Sequence, residues 1–210
     1  MEEMYKKVKK LADMYMENLK EKLEVRAEEM KGDDNSHYLV YKVLGVSNTE
    51  GTLIDLYQNK GRFLYKYAGS FLEEATMLCF RHKFPKAKKI KVVNNESLKP
   101  KTFEIDCLVN NNAYEIKWRD ATTDGDHITK EHTRVKAIKS YGYKPIRIMF
   151  YYPNRTQAIK IQETLETLYK GVEGEYYYSE SAWDYILKVT GVDLLSILEK
   201  IAKEREKNWN

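Results

Sequence analysis

Residues 103–119 read FEIDCLVNNNAYEIKWR, and this stretch decides the fold. Apolar and polar residues alternate over 103–109 and again over 114–119, which is the period of a β-strand with one buried face. Three asparagines, at 110–112, lie between the two runs, and asparagine favours tight turns. The stretch therefore predicts an antiparallel β-hairpin with a polar turn.

The residues around this hairpin follow helical and strand patterns. Helices are predicted over 3–30, 36–45, 50–58 and from Gly61 to about Phe84, ahead of a short β-branched run at 90–93. The hairpin is followed by a helix over 130–141, a buried strand over 146–151, a helix over 156–169 and two helical segments within 182–206. This order predicts an α/β (α+β) fold, with a mixed β-sheet core flanked by helices and a helical N-terminal section.

The chain has 210 residues, of which 42% are hydrophobic. This length is enough to bury a sizeable core, and the composition excludes collagen-like, mucin-like and disordered proteins. No internal repeat and no linker rich in proline or serine divides the sequence. We therefore expect one domain over 1–210, made of a helical N-terminal section (1–68), a catalytic core (69–151) and C-terminal helices (152–210).

Several features predict a cytoplasmic protein that does not enter a membrane. The first ten residues are highly charged and lack the apolar core of a signal peptide, and no apolar run reaches the ~18 residues of a membrane span. The two cysteines, Cys79 and Cys107, show no framework spacing. We expect both to be buried thiols in a reducing compartment.

Positive charge is concentrated in one segment. Residues 81–101 contain eight lysines and arginines but a single acid, Glu96, although the whole chain carries a formal net charge of only +4. Such a segment suits contact with a polyanion such as nucleic acid. A solvated lysine-rich loop explains it equally well, so charge alone leaves the partner open.

Three charged residues of the predicted hairpin carry the candidate chemistry. Asp106 lies on the first strand, and Glu115 and Lys117 lie two apart on the second, so the latter two point to one face of the sheet. Burying such a cluster is costly, and a divalent cation between the two carboxylates would offset the cost. Mg²⁺ held there, with the lysine orienting or deprotonating a water, would provide metal-assisted phosphodiester hydrolysis.

Two simpler explanations compete with this interpretation. The residues could form a solvent-facing cross-strand ion pair, worth roughly 0.2–1 kcal/mol and nothing more. The spacing is also short enough to occur by chance, and it occurs again in Glu29-Met30-Lys31 with Asp13 upstream. Those residues lie on a predicted helix and cannot form the hairpin geometry, so the context favours the match at 106–117.

The hairpin and its flanks resemble the PD-(D/E)xK nuclease superfamily. Residues 69–151 follow the superfamily order of a helix, three antiparallel strands that carry the acids, a helix and a further strand. Asp106, Glu115 and Lys117 match the signature, with Ile105 where the motif's name places proline. The resemblance implies that the two acids bind a metal ion and that all three residues are catalytic.

Members of this superfamily often begin the metal site with a glutamate on the helix before the sheet. The segment GSFLEEA, residues 69–75, offers Glu73 and Glu74 at that place, and the helical phase favours Glu73. The resemblance therefore adds Glu73 as a catalytic and metal-binding residue. An exposed helix residue is the alternative.

Within the superfamily, the chain most resembles type II restriction endonucleases, and the ApaLI-like group in particular. The features shared are the size, the helical N-terminal section and the polar stretch WRDATTDGDH, residues 118–127. The resemblance implies a homodimer that binds a short palindrome in double-stranded DNA and cuts each strand with one active site. It also implies Mg²⁺ as cofactor, with Mn²⁺ as a substitute, 5′-phosphate products and functional pairing with a cognate DNA methyltransferase.

The polar segment after the second hairpin strand is the candidate DNA-contacting region. Arginine and lysine can bond guanine, aspartate can accept from cytosine, and threonine can contact phosphate or the thymine methyl group. An ordinary polar loop is the alternative for each residue. The candidates are Arg119, Asp120, Thr122, Thr123, Asp124, His127, Lys130 and Arg134. No third ligand accompanies His127 and His132, so we expect no zinc site.

Two other functions remain open from the sequence. The same fold could belong to a structure-specific DNA repair or junction-resolving nuclease, and the basic segment could serve a non-catalytic DNA-binding protein. The apolar face of the C-terminal helices either completes the core or forms a dimer interface. That face comprises Trp183, Ile186, Leu187, Leu194, Leu195, Ile197, Leu198 and Ile201.

Overall fold

A computed structural model describes residues 2–97, 99–120 and 122–207 of the chain. The chain divides into a helical unit, Lys10–Phe71, and a sheet unit formed by the described residues up to Lys9 together with those from Leu72 onward. The elements are α1 (Glu2–Glu29), α2 (Tyr38–Val43), α3 (Asn48–Lys83), β1 (Lys88–Val93), β2 (Thr102–Val109), β3 (Asn112–Arg119), α4 (Asp126–Ser140), β4 (Lys144–Tyr151), α5 (Thr156–Gly171), β5 (Glu175–Tyr178), α6 (Glu180–Thr190) and α7 (Leu194–Glu206). The mixed α/β architecture predicted from the sequence is confirmed.

The sheet unit contains a five-stranded sheet in the order β1-β2-β3-β4-β5. β2 is antiparallel to both β1 and β3, whereas β4 runs parallel to β3 and β5 runs parallel to β4. The two parallel connections pass through α4 and α5, because a parallel pair needs a crossover rather than a tight turn. The hairpin turn lies at Asn110 and Asn111, and Asn110 has a φ of 53°, a conformation that asparagine tolerates better than most residues.

Strand β2 carries a bulge at the candidate aspartate. Ile105 and Leu108 are three residues apart, but their partners on β1 are only two residues apart, so β2 has one extra residue over this interval. Both side chains consequently reach the same apolar cluster. A bulge re-aims the side chains that it contains, which here are those of Asp106 and Cys107.

Helices cover both faces of the sheet. On one face, Ala137 of α4 lies in a buried apolar cluster with Ala113 of β3. On the other, Phe80 of α3 contacts Tyr114 of β3, with ring centroids 4.5 Å apart. Because successive residues of a strand point to opposite faces, Glu115 and Lys117 share the face that α4 covers.

The C-terminal helices contribute to the core of the sheet unit. The buried members of their apolar face are Ile186, Leu194, Ile197 and Ile201. Asp193 caps α7, because its carboxylate accepts a hydrogen bond from the Ser196 N–H at 2.9 Å. The two cysteines are buried free thiols, as predicted, and burial raises the pKa of each to about 12.

Two elements differ from the prediction. α3 is continuous over Asn48–Lys83, so the predicted break ahead of Gly61 is wrong. A glycine inside a helix costs about 1 kcal/mol relative to alanine, which the surrounding turns of a long helix outweigh. The strand β5 was not predicted, because its tyrosines show no alternation with polar residues, and it forms by pairing with β4. No helix among the described residues is both long and apolar enough to cross a membrane.

In the helical unit, α1 and α2 contact the same side of α3. Tyr41 of α2 donates to Asp55 Oδ1 of α3 at 3.1 Å. Arg26 of α1 donates to Asn59 Oδ1 of α3 at 3.2 Å. Asp55 and Asn59 are four residues apart and therefore share one face of the helix.

Candidate active site

The hairpin brings the candidate catalytic residues together where β2 and β3 part. The last paired residues of the two strands are Cys107 and Tyr114. Beyond them, the Ile116 N–H donates to Asp106 Oδ2 at 2.8 Å. This hydrogen bond fixes the carboxylate of Asp106 beside residues 115–117 of β3.

Glu115 is surrounded by cations. It is 3% exposed, Lys117 Nζ lies 2.6 Å from its Oε1, and Arg134 of α4 donates to its Oε2. Arg147 of β4 is its partner in the parallel register. Burial acts to raise the pKa of Glu115, but the charges of Arg134, Lys117 and Arg147 outweigh burial and hold the pKa below its usual value. Glu115 is therefore ionised at neutral pH.

Asp106 is in the opposite electrostatic situation. The residue is 7% exposed, and burial raises its pKa to about 7, with further contributions from the negative charges of Glu115 and Glu73. The hydrogen bond from Ile116 and the charge of Lys117 oppose this rise without cancelling it. Burial and the two neighbouring carboxylates therefore disfavour the ionised form of Asp106, which a bound cation would stabilise.

Lys117 is a cation at neutral pH. Burial and the charge of Arg147 act to lower its pKa, but the charge and hydrogen bond of Glu115 outweigh them and raise it. Its side chain is 36% exposed. The ammonium group is therefore charged and accessible to a ligand from solvent.

Glu73 approaches the cluster from α3, whereas Glu74 is exposed. The charge of Glu73 contributes to the raised pKa of Asp106, so the two carboxylates are neighbours. Its Oε1 lies 2.5 Å from Lys89 Nζ of β1, and Lys89 also donates to Glu104 Oε1 at 2.9 Å. The sequence placed Lys89 only within the basic segment, because its acidic partners are distant along the chain.

The candidate DNA-contacting residues fall into two groups. Some are held inside the protein: Asp120 Oδ2 lies 2.5 Å from Arg147 Nη2 and 3.0 Å from His127 Nε2. Arg134 donates both to Glu115 and to a main-chain carbonyl of β2. The second group is exposed or half-exposed and consists of Arg119, Thr122, Thr123, Asp124 and Lys130, with Ala121 outside the described residues.

A buried polar network adjoins the cluster and was not predicted. Arg147 is 0% exposed, and it donates to Glu131 Oε1 at 3.3 Å and to Asp120 Oδ2 at 2.5 Å. Tyr169 of α5 donates to the same Glu131 oxygen at 2.6 Å. The sequence carried one signal for this network, an arginine inside the apolar run 146–151. A buried charge needs a paired and hydrogen-bonded partner.

The second match to the acid and lysine spacing forms no such cluster. Glu29 is the last residue of α1 and lies 3.3 Å from Arg26. Lys31 lies in a short 3₁₀ helix, Met30–Gly32, 2.5 Å from Glu28. The hairpin geometry is therefore present at 106–117 and not at these helical residues.

The donor set of the cluster fits a hard divalent cation. Carboxylate oxygens, here those of Asp106 and Glu115, are the ligands that Mg²⁺ prefers in proteins. Within the described ranges, no group of three His, Cys, Asp or Glu residues is arranged to hold a metal ion. Glu73 is paired with Lys89, and Glu115 with Arg134. These ion pairs would have to open before all three carboxylates could bind one cation.

Comparison with known protein families identifies the family of the chain. Residues 1–203 match the family described as ApaLI-like restriction endonuclease. Comparison with curated proteins gives no match. The family match spans both units and every candidate site residue. The chain therefore belongs to the ApaLI-like restriction endonucleases, which are type II restriction endonucleases and hydrolyse DNA.

Proposed function

We propose that the chain is a Mg²⁺-dependent endonuclease that cuts double-stranded DNA at a specific sequence and leaves 5′-phosphates, with Asp106, Glu115, Lys117 and Glu73 as its active site. The main observation in support of this proposal is that Asp106 and Glu115 of the hairpin lie buried beside Lys117. Burial and the neighbouring carboxylates raise the pKa of Asp106 to about 7. Such a perturbed cluster is typical of a functional site.

Asp106 and Glu115 would hold the metal ion, with Glu73 in support. When bound, Mg²⁺ supplies a Lewis acid that stabilises charge on the phosphoryl oxygens and favours ionisation of the attacking water. Mn²⁺ would substitute, because it prefers the same oxygen ligands. Attack of the water on phosphorus breaks the bond to the 3′ oxygen, which leaves as a hydroxyl and gives a 5′-phosphate.

Lys117 would act as a charge rather than as a base. Its pKa is raised by Glu115, so the ammonium group keeps its proton at neutral pH and has little capacity to take one from water. A positioned ammonium can instead donate hydrogen bonds to the water and to a phosphoryl oxygen as negative charge develops there. This favours the orienting role over the deprotonating role for Lys117.

The loop and helix after β3 would contact the DNA through their exposed members. Arg119, Thr122, Thr123, Asp124 and Lys130 have side chains that reach solvent. Asp120, His127 and Arg134 make contacts within the protein, so we assign them to holding this loop beside the active site until DNA binds. Arg134 could then transfer from Glu115 to a phosphate, since both are anions.

The proposal also includes the protein partners of the chain and its location in the cell. A second copy of the chain would supply the active site for the second DNA strand, because the described residues of one chain form one such cluster. A cognate methyltransferase would protect the host's own sites, and we place the enzyme in the cytoplasm with its DNA substrate.

The test is cleavage of a plasmid and a phage genome with Mg²⁺, with Mn²⁺ and with a chelator. We expect discrete bands with either metal ion, none with the chelator, and ends that ligate without prior phosphorylation. Asp106→Asn should lose cleavage while still shifting DNA in a gel, and Glu163→Gln, an exposed change on α5, should cleave normally. Intact DNA would reject the proposal in favour of a binding protein, and preferential cutting of a four-way junction would reject it in favour of a repair nuclease.

A further inference from the structure

The carboxyl ends of the parallel strands β4 and β5 carry exposed aromatic side chains. Tyr151, the last residue of β4, is 49% exposed, and Tyr178, the last residue of β5, is 38% exposed. Tyr178 contacts Tyr152, with ring centroids 4.5 Å apart. In open α/β sheets, ligands bind beyond the carboxyl ends of the parallel strands. These side chains therefore lie at the edge of the sheet where a ligand is expected.

Two tryptophans hold Tyr151 in place. Its ring centroid lies 6.4 Å from that of Trp118 of β3 and 6.0 Å from that of Trp183 of α6, in both cases with the rings edge to face. Trp183 in turn packs on the buried Phe150, with ring centroids 4.2 Å apart. Such contacts are favourable between aromatic rings, and a ring that is already restricted loses little conformational freedom on binding. Tyr151 is thus an exposed and preorganised aromatic ring.

Tyr151 also lies close to the candidate catalytic lysine. Its partner in the parallel register of β3 and β4 is Arg119, two residues beyond Lys117. A rise of about 3.3 Å per residue and a strand spacing of about 4.8 Å place the Cα atoms of Tyr151 and Lys117 roughly 8 Å apart. Successive base pairs of DNA are about 3.4 Å apart. A phosphate bound at Lys117 therefore brings the bases of roughly two neighbouring steps within reach of Tyr151.

The residues around Tyr151 favour nucleic acid as the occupant of this edge. Arg119 is partly exposed beside it, and Arg155 is exposed in the segment that follows β4. Cations next to an exposed aromatic ring are the combination that binds the phosphates and stacks the bases of a nucleic acid strand. The family to which the chain belongs acts on DNA.

We propose that Tyr151 stacks on one base of the DNA substrate, within about two nucleotides of the phosphate that Lys117 contacts. The position of that base rests on the proposed active site. Bases within a duplex present only their edges in the grooves, so this base must separate from its neighbour, as it does where a side chain is inserted between base steps. The separation costs least at pyrimidine–purine steps. Tyr151 therefore selects for such a step beside the cut.

The test is a set of binding measurements with duplexes that each lack one base near the cut phosphate. The dissociation constant is measured by fluorescence anisotropy in a chelator, so that no cleavage intervenes. Tyr151→Leu removes the ring and Tyr151→Phe keeps it. Tyr141→Leu is the matched control, because Tyr141 is 41% exposed and precedes β4 instead of ending it. All three residues are replaced at partly exposed positions, where the fold tolerates change, and melting curves check this.

We expect Tyr151→Leu to raise the dissociation constant for the intact duplex about 5- to 150-fold, the range for the loss of one stacked base. Tyr151→Phe and Tyr141→Leu should bind like the wild type. On the one duplex that lacks the stacked base, Tyr151→Leu and the wild type should bind alike, which is the coupling expected of a direct contact. An unchanged dissociation constant in Tyr151→Leu, the same loss on every duplex, or an equal loss in Tyr151→Phe would overturn the inference.

Failure of the proposed nuclease gives a different result. If the chain binds a DNA sequence without cutting it, the series of abasic duplexes is built across the footprint instead. Coupling between Tyr151 and a single base in that series would support the stacking contact and reject the proposed nuclease function.

Discussion

Replacing Arg147 by methionine tests whether the buried network stabilises the sheet unit beside the candidate active site. The change leaves the carboxylates of Asp120 and Glu131 without the guanidinium that both contact. Breaking a buried ion pair in this way costs about 3–5 kcal/mol. Asp120 keeps His127 and Glu131 keeps the Tyr169 hydroxyl, so we expect the lower end, about 3 kcal/mol of unfolding free energy.

The assay is urea unfolding followed by tryptophan fluorescence, because Trp118 and Trp183 both lie in the sheet unit. Removing the charge of Glu131 as well, in Arg147→Met/Glu131→Gln, should recover about 1 kcal/mol or more, since two contacting residues couple. Arg155→Met is the control. That residue is exposed, and a surface change of this kind stays within about 0.5 kcal/mol.

Two results would refute the reasoning. A loss below about 1 kcal/mol in Arg147→Met would show that the network contributes no more than surface ion pairs do. Strictly additive losses in the double variant would show that Arg147 and Glu131 do not stabilise each other. For a chain of this size, the expected loss corresponds to a fall in melting temperature of about 6–12 °C, which calorimetry can check independently.

Three further predictions concern the cluster and its loop. Burial acts to raise the pKa of Asp120, but His127 and Arg147 hold it well below its usual value. The ionised carboxylate therefore stabilises the folded state fully above about pH 4, and this stabilisation is lost as the pH falls further. Asp120→Asn should remove it and flatten the acid side of a plot of the urea unfolding midpoint against pH. Lys117→Met should lower the cleavage rate about 10²- to 10³-fold, as the loss of one charge-stabilising donor does. The affinity for DNA in a filter-binding assay should stay nearly unchanged. An equal loss of cleavage rate and of DNA affinity would contradict the proposed role of Lys117. Arg134→Met removes a cation that pairs with Glu115. The affinity of the free protein for Mn²⁺, measured by electron paramagnetic resonance titration, should therefore rise several-fold. A fall in this affinity would be inconsistent with competition between Arg134 and the metal ion for the Glu115 carboxylate.

Much of the site could be predicted because its residues are close along the chain. Asp106, Glu115 and Lys117 lie within one hairpin, and the period of a strand together with the turn at 110–111 fixes how they meet. Glu73 was predicted from helical phase and resemblance, and the structure places it near Asp106. Its catalytic role, like that of the hairpin residues, stays a prediction.

The remaining parts depend on contacts between distant segments. Lys89 meets Glu73 only because β1 pairs with β2 and α3 packs on the sheet, and Arg147 meets Asp120 only through the parallel pairing of β3 with β4. The continuity of α3 through Gly61 was missed for a different reason. The prediction began a new helix at Gly61, but the cost of about 1 kcal/mol for a glycine inside a helix is too small to interrupt α3.

The hydrogen bond from the Ile116 amide to Asp106 gives the candidate active site a spectroscopic reporter within the backbone. Its acceptor is a side chain that would bind a proton or a metal ion, whereas main-chain hydrogen bonds, which join β3 to β4 along this stretch, have acceptors that do neither. Any change in the charge of that carboxylate alters the strength of this bond, and with it the nitrogen and proton shifts of a single backbone group. The Ile116 resonance in an ¹⁵N-labelled sample should therefore follow the state of the site directly, without substrate and without a label at the reacting atoms.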